Sequence, residues 1–258
     1  MKNQTIDIIN NRRTIRAYDP RPLTRDEINT IIHGAMRAPT AGNMMLYTIL
    51  EVSDQKKKER LTITCDHQPH IAKAPLVLIF LADMQRWYDY FNYCKVPELC
   101  EKLKIDFDAP AESDLLMASC DALIAAQNAV ITAESMGIGS CYIGDIIENI
   151  EIHQEMFDLP RWVFPITMLC FGYPKGGGEK VPLKSRYPQE FIHFSNKYHR
   201  LTDREFDTMY QNDMRGISME HAENMGQEMY LRKLATDFWK EMQRSVKVAI
   251  KDWIAKKE

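Results

Sequence analysis

Residues 115–137, LLMASCDALIAAQNAVITAESMG, are Ala-rich, nearly apolar on every face of a helix, and stopped by Gly137. A helix with so little polar surface is not content on the outside of a protein. It is either deeply buried or the contact surface for a second subunit. The rest of the chain must therefore be arranged around it.

Partners for such a helix are easily found. APLVLIFLAD (74–83) is strand-length and apolar on both faces, which predicts a central strand. LYTILEV (46–52) and FPITMLCFGYP (164–174) are two further strands, the second ended by Gly172 and Pro174. Thr5 to Asn11 predicts a short helix with its isoleucines on one side. In the next helix Thr24 and Glu27 make a capping-box pair, Ile28, Ile31, Ile32 and Ala35 recur at helical spacing, and Pro39 ends the run. KKKER (56–60) reads as a solvated charge run, and IENIEIHQEMF as another helix. Residues 85–113 show no clear period and are expected to form short helices or a cap over an active site. Beyond Phe191 the chain turns polar and helical, with Leu231, Leu234, Phe238, Met242, Val246, Ile250 and Trp253 near helical spacing. That segment has too little apolar content for a core of its own. The expected organisation is thus a core over residues 1–190 with a C-terminal helical extension of the same domain over 191–258.

The chain carries 33 basic and 36 acidic residues, a net charge of −3 with histidine neutral. This balance argues against a nucleic-acid partner or an anionic membrane held by bulk charge. No apolar run is expected to reach the roughly 18–20 residues of a spanning helix. The start, MKNQTIDIINNRR, lacks the pattern of a secretory signal. The six cysteines include no CxxC pair and are expected as free thiols, which points to the cytoplasm. Cys65, His67 and His70 make a C-x-H-x-x-H group, but no fourth ligand stands at a familiar zinc spacing, so no metal is expected.

Against this balanced background, Arg12, Arg13 and Arg16 crowd into five positions, with Thr14 between them. They read either as surface arginines paired with carboxylates or as the basic part of a phosphate site. Lys184 and Arg186 form a second basic pair after the last strand. APTAGNMMLY (38–47) is a turn whose Thr40, Gly42 and Asn43 offer hydroxyl, open backbone and amide groups, or simply turn chemistry. GIGSCYIGD (137–145) has the wrong spacing for a dinucleotide fingerprint, and PKGGGEK lacks the Ser or Thr of a P-loop. Glycines at 139 and 144 do permit backbone to approach a flat ligand.

Taken in order, RRTIRAYDPRPL, APTAGNMMLY, GIGSCYIGD and GYPKGGGEKVPLKSR resemble the FMN-dependent nitroreductase family across residues 12–186. The polar helical tail and HQPHIAKAPLVLIFLAD are similar to its larger, NADPH-using nitroreductase and flavin-reductase subgroup. The resemblance implies an α+β nitroreductase-like fold, with a central, mostly antiparallel sheet flanked by helices. It further implies an intertwined homodimer holding FMN at its subunit interfaces. Arg12, Arg13, Thr14 and Arg16 would then surround the FMN phosphate and ribityl chain, with Lys184 and Arg186 closing on the same phosphate. Thr40 and Asn43 fall where the family contacts FMN, often from the partner subunit. Gln68 matches a position that hydrogen-bonds the flavin, and Tyr142, Ile143, Gly144 and Asp145 would lie against its ring. Arg215 resembles an arginine that grips the NADPH phosphate. Glu220 and His221 stand near where a second basic residue is usual. The second motif departs from the family's usual Gln-Pro-Trp at Met44, Met45 and Leu46. The implied activity is a ping-pong transfer from NAD(P)H to a small-molecule electron acceptor: a nitroaromatic, a quinone or a flavin. No catalytic side chain is singled out. The alternatives are reductive dehalogenation or flavin fragmentation on the same fold, and a non-catalytic flavin sensor.

Overall fold

The computed structural model describes residues 3–177, 182–210 and 216–255. In chain order the first elements are α1 (Gln4–Asn11), α2 (Arg25–Met36), β1 (Tyr47–Glu51), α3 (Gln55–Thr64), α4 (His70–Lys73) and β2 (Leu76–Asp83). They are followed by α5 (Gln85–Tyr93), α6 (Val96–Leu103), α7 (Glu112–Ser135), β3 (Gly139–Ile143), α8 (Ile150–Phe157) and β4 (Val163–Gly172). The remaining helices are α9 (Asp203–Tyr210), α10 (Met225–Met229) and α11 (Asp237–Ile254). The chain divides into two compact units, Met1–Val181 with Glu241–Glu258, and Pro182–Lys240.

The first unit is built on a four-stranded antiparallel sheet in the order β1-β2-β4-β3. All eight residues of β2 are buried, because both faces of the sheet are covered. Leu76, Leu78 and Phe80 point into one core with α2 and α7. Val77, Ile79 and Leu81 point into the other, with Leu61, Cys65 and Ile71 from the α3–α4 side. The period-two alternation of a strand thus serves two cores at once. Pro165 has no N–H to give to a ladder, and the β2–β4 register shifts beside it.

Helix α2 starts as its sequence predicts. Thr24 Oγ1 accepts from the Glu27 N–H, and Glu27 accepts from the Thr24 N–H at 2.7 Å. Ile28, Ile31 and Ala35 face inward. Helix α7 meets α2 closely through small residues. A Cβ added at Gly34 would lie 2.1 Å from Thr132 Oγ1.

Four expectations change. First, GIGSCYIGD contains a strand, β3, which is not among the strands expected from the sequence. Gly139 and Ser140 weaken its strand signal, yet Gly139 is required because a Cβ there would stand 2.5 Å from Ile15 Cγ1. Second, the KKKER run is not wholly solvated: Lys58 is buried with Nζ donating to the Ala74 carbonyl at 2.9 Å. Burial lowers its pKa. Third, the C-terminal apolar positions do not share one helix. A π-helical turn over Tyr230–Leu234 separates α10 from α11, and the buried stripe of α11 is Ser245, Ala249 and Trp253. Leu234 and Ile250 are exposed. Fourth, α7 has 24 residues and is apolar enough to cross a membrane by length and composition. Its alanines 118, 122, 125, 126, 129 and 133 are nevertheless buried against the protein. The opposite side leaves Leu116, Met117, Leu123 and Ile124 exposed, so the helix is two-faced rather than buried all round.

Candidate functional site

The arginine cluster is placed by strand β3. After α1 the chain runs beside that strand, Thr14 bridging Ser140 and the Ile15 N–H donating to the Ser140 carbonyl at 2.9 Å. Tyr18 closes the segment, its hydroxyl donating to the Ile15 carbonyl at 2.9 Å. Among the described residues Arg12, Arg13 and Arg16 form no ion pair, and Arg13 Nε is buried without a partner. Three guanidinium groups without an ion pair keep N–H donors available to an anion. Arg12 and Arg13 also face Glu134 at the end of α7. Burial outweighs their pull and pushes the Glu134 carboxyl up to about 7.

The far end of β3 gathers the second group. Gln68 Nε2 donates to Asp145 Oδ2 at 2.7 Å and to the Cys65 carbonyl at 3.2 Å. Both amide hydrogens are thereby used, which fixes the amide orientation and leaves Oε1 as a free acceptor. His70 is buried, and its Nε2 has no partner. Burial and the Arg16 charge hold its imidazole below the usual pKa. Ile143 is buried in the core, so only its backbone can meet a ligand, whereas Tyr142 is half-buried and donates to Gln127 Oε1 at 3.2 Å. Gly144 is exposed, and a Cβ there would touch nothing within 4 Å. Open space therefore lies over the backbone at this point.

Two residues on from Ile146, the Glu148 side chain is buried with Oε1 unpaired. Burial, reinforced by the charges of Asp145, Asp66 and Glu241, pushes its carboxyl up to about 8 from an ordinary 4.5. The folded chain keeps a proton there that the unfolded chain releases. The associated stability is fully present below pH 4.5 and is lost as pH rises through about 8. Glu148→Gln stays neutral at every pH. In urea unfolding it is expected to match the wild type at the acid end and to exceed it progressively as pH rises from 4.5 to 8.

The turn carrying Thr40 and Asn43 is held from three sides. Asp121, buried in the middle of α7, accepts from the Ala41 N–H at 3.0 Å and from the Leu46 N–H at 3.1 Å. Trp87 Nε1 donates to the Met44 carbonyl at 2.8 Å. Arg86 donates to the carbonyls of Met45 and Tyr47. Inside the turn Thr40 Oγ1 accepts from the Met45 N–H at 3.1 Å, and Gly42, Asn43 and Met45 all have positive φ. Without these external anchors, left-handed Asn and Met residues would be strained. Asp121, Arg86 and Trp87 are absent from the sequence-based set, and His70 enters it only through the C-x-H-x-x-H group. Asp121 had a signal, as a carboxylate inside an otherwise apolar helix. Arg86 and Trp87 sit in the unpatterned region after β2.

Lys184 and Arg186 lie in the second unit and are exposed, the Arg186 guanidinium donating to the carbonyls of Lys184 and Ser185. Arg215 lies outside the described residues. Cys65 is buried, with its thiol pushed up by burial, and His67 is exposed. The described residues include no group of three or more His, Cys, Asp or Glu side chains placed to hold a metal ion.

Comparison with known proteins gives concordant matches. The sequence model of the Nitroreductase family matches residues 9–173. An FMN reductase (NADPH) of Bacillus subtilis (strain 168) is 34% identical over 202 residues, covering 78% of this chain and 77% of that protein. A CR(VI) reductase of Pseudomonas sp. (strain G-1) is 29% identical over 252 residues, 97% of each chain. The crystal structure of an NADPH:FMN oxidoreductase from Vibrio harveyi, complexed with NAD+, superposes with a TM-score of 0.78 at 25% identity. It covers 96% of this chain and 98% of that one.

Proposed function

Because this chain belongs to the nitroreductase family, we infer that it is an FMN-dependent NAD(P)H oxidoreductase that reduces nitroaromatic, quinone or flavin acceptors. The observation that carries this for the chain's own residues is the uncompensated trio Arg12, Arg13 and Arg16 beside β3. The residues fit FMN: free cations for a phosphate, open backbone at Gly144 for a flat ring, and an unpaired acceptor at Gln68. The chemistry that bound FMN would supply is hydride acceptance from NAD(P)H and two-electron reduction of an acceptor.

Arg12, Arg13, Thr14 and Arg16 would hold the phosphate and ribityl chain, and Lys184 and Arg186 are the further basic pair that the family resemblance assigns to FMN. Gln68, fixed by Asp145 and the Cys65 carbonyl, would offer Oε1 as an acceptor to an N–H of the flavin. Tyr142 to Asp145 line the ring, largely through backbone. Thr40 and Asn43 approach from their anchored turn. Arg215 receives the nicotinamide nucleotide, favouring NADPH. The basic residues and backbone donors also offset negative charge as electrons arrive, so no side-chain general acid is needed. The exposed Leu116, Met117, Leu123 and Ile124 on α7 support a homodimer formed through that helix. An apolar stripe of this kind is stable when a second copy covers it.

The test is to purify the protein, identify any released cofactor, and follow NADPH oxidation with menadione and with nitrofurazone. A yellow protein that turns over both acceptors is expected. A protein that stays colourless after FMN is added overturns the function. Bound FMN with no turnover of any acceptor favours a sensor instead.

A further inference from the structure

Neither the packing of the core nor the function above accounts for His70. It opens α4, and the next residue, Ile71, shares a buried core with Cys141 and Ile143 of β3. Helix α4 therefore lies against the end of that strand, where Gln68 is tied to Asp145 at 2.7 Å. The arginine segment runs to the same end. Thr14 bridges Ser140 in parallel, so Arg16 is carried toward the level of Tyr142. The imidazole keeps only 8% of its surface exposed, and its Nε2 is a buried nitrogen that no protein group has claimed.

Two charges bear on this ring. Arg16, from the extended segment, opposes a proton there, as burial does, and Asp145, just past β3, favours one. Gln68, on the loop before α4, is neutral. With Arg16 outside any ion pair among the described residues, its full charge acts on the imidazole and keeps it neutral. A phosphate dianion bound at Arg16 cancels that opposition and leaves the pull of Asp145. Histidine titrates close enough to neutrality for such a change of field to change its charge. A ligand that brings no phosphate leaves the field of Arg16 as it is.

We propose that His70 is a charge-responsive residue of the cofactor site, neutral in the empty protein and taking up one proton from solvent as the FMN phosphate binds at Arg16. The imidazolium then adds a cation to the surroundings of the phosphate. The inference rests on the FMN function above. Its consequence is that FMN is held more tightly in mildly acidic than in mildly alkaline solution. Riboflavin, which lacks the phosphate, gains nothing from His70 on acidification.

The test titrates FMN and riboflavin into the apoproteins of the wild type, His70→Gln and His70→Asn, following flavin fluorescence from pH 6 to pH 9 in phosphate-free buffers. Calorimetry in two buffers of different ionisation heat counts the protons taken up. Protonation of the phosphate itself is common to all three proteins and drops out of their ratio. The FMN Kd of either variant, divided by that of the wild type, is expected to rise about tenfold from pH 9 to pH 6, which corresponds to a rise of about one unit in the imidazole pKa on binding. The wild type should also take up more protons with FMN than the variants do, and no more with riboflavin. A ratio that does not change with pH overturns the proposal, as do equal proton counts with FMN or an equal rise with riboflavin. Where neither variant folds, the ring resonances of His70 in the wild type decide by NMR: they must titrate at higher pH with FMN bound, and an unmoved titration overturns the proposal. A wild type that binds no FMN overturns the function itself, and the same ring titration with and without inorganic phosphate then tests His70 alone.

Discussion

Replacing Arg16 and Arg186 together by alanine is expected to strip FMN from the protein. Each charge-assisted bond to a phosphate contributes about 1.5–3 kcal/mol. Two lost bonds correspond to about two to four orders of magnitude in FMN Kd. Among the described residues Arg16 forms no ion pair, so its loss leaves none of their carboxylates without a salt-bridge partner. Removing one of three adjacent cations also relieves repulsion. The melting temperature of the apoprotein is therefore expected to stay level while FMN affinity collapses. Flavin fluorescence quenching on both single variants and the double completes a cycle. Unchanged affinity in the double variant sinks the phosphate assignment.

Asp121→Ala is expected to damage both stability and cofactor binding. Among the described residues the carboxylate is the sole partner of two amide groups, Ala41 N–H at 3.0 Å and Leu46 N–H at 3.1 Å. Leaving a buried donor unpaired costs about 1–3 kcal/mol each, so about 2–6 kcal/mol is at stake. That is a large part of the ordinary stability of a domain. Asp121→Asn keeps one acceptor oxygen but turns an amide NH₂ toward the other donor, and should fall between the two. Urea unfolding and FMN titration of the three proteins give the check. An alanine variant as stable as the wild type would mean that the turn does not depend on this anchor.

Local regularity carried into the sequence, and long-range placement did not. The capping box at Thr24 and Glu27, the isoleucine stripe of α2 and the two-faced burial of β2 follow from short-range patterns, and each is present. Strand β3 was obscured because Gly139 is chosen for the space Ile15 needs, across more than a hundred residues of chain. The arginines stood out by their crowding, but that they form no ion pair among the described residues is a property of the fold. His70 drew notice only as a zinc candidate. What makes it interesting is an unpaired Nε2 near Arg16 and Asp145, which no spacing rule conveys. The anchors Arg86 and Trp87 lie where no periodicity exists, because α5 follows β2 directly and faces a turn 40 residues earlier. In α11 the helical period was visible, but the slot that receives Trp253 selected a stripe one position away from the bulky residues.

That slot has a bearing on how the chain is made. Trp253 is almost wholly enclosed, donating its indole N–H to the Ala111 carbonyl at 3.0 Å and accepting at its own carbonyl from Trp162 Nε1 at 3.0 Å. Its partners are synthesised long before it, and residues 182–240 come between. During translation the β-sheet can assemble while the seat beside Trp162 stays vacant, since its occupant has not yet left the ribosome. Completion of the first unit is thus postponed until α11 emerges. Ribosome stalling or premature termination within residues 182–240 would release a chain with paired strands and an open aromatic seat, the kind of surface that quality-control machinery recognises.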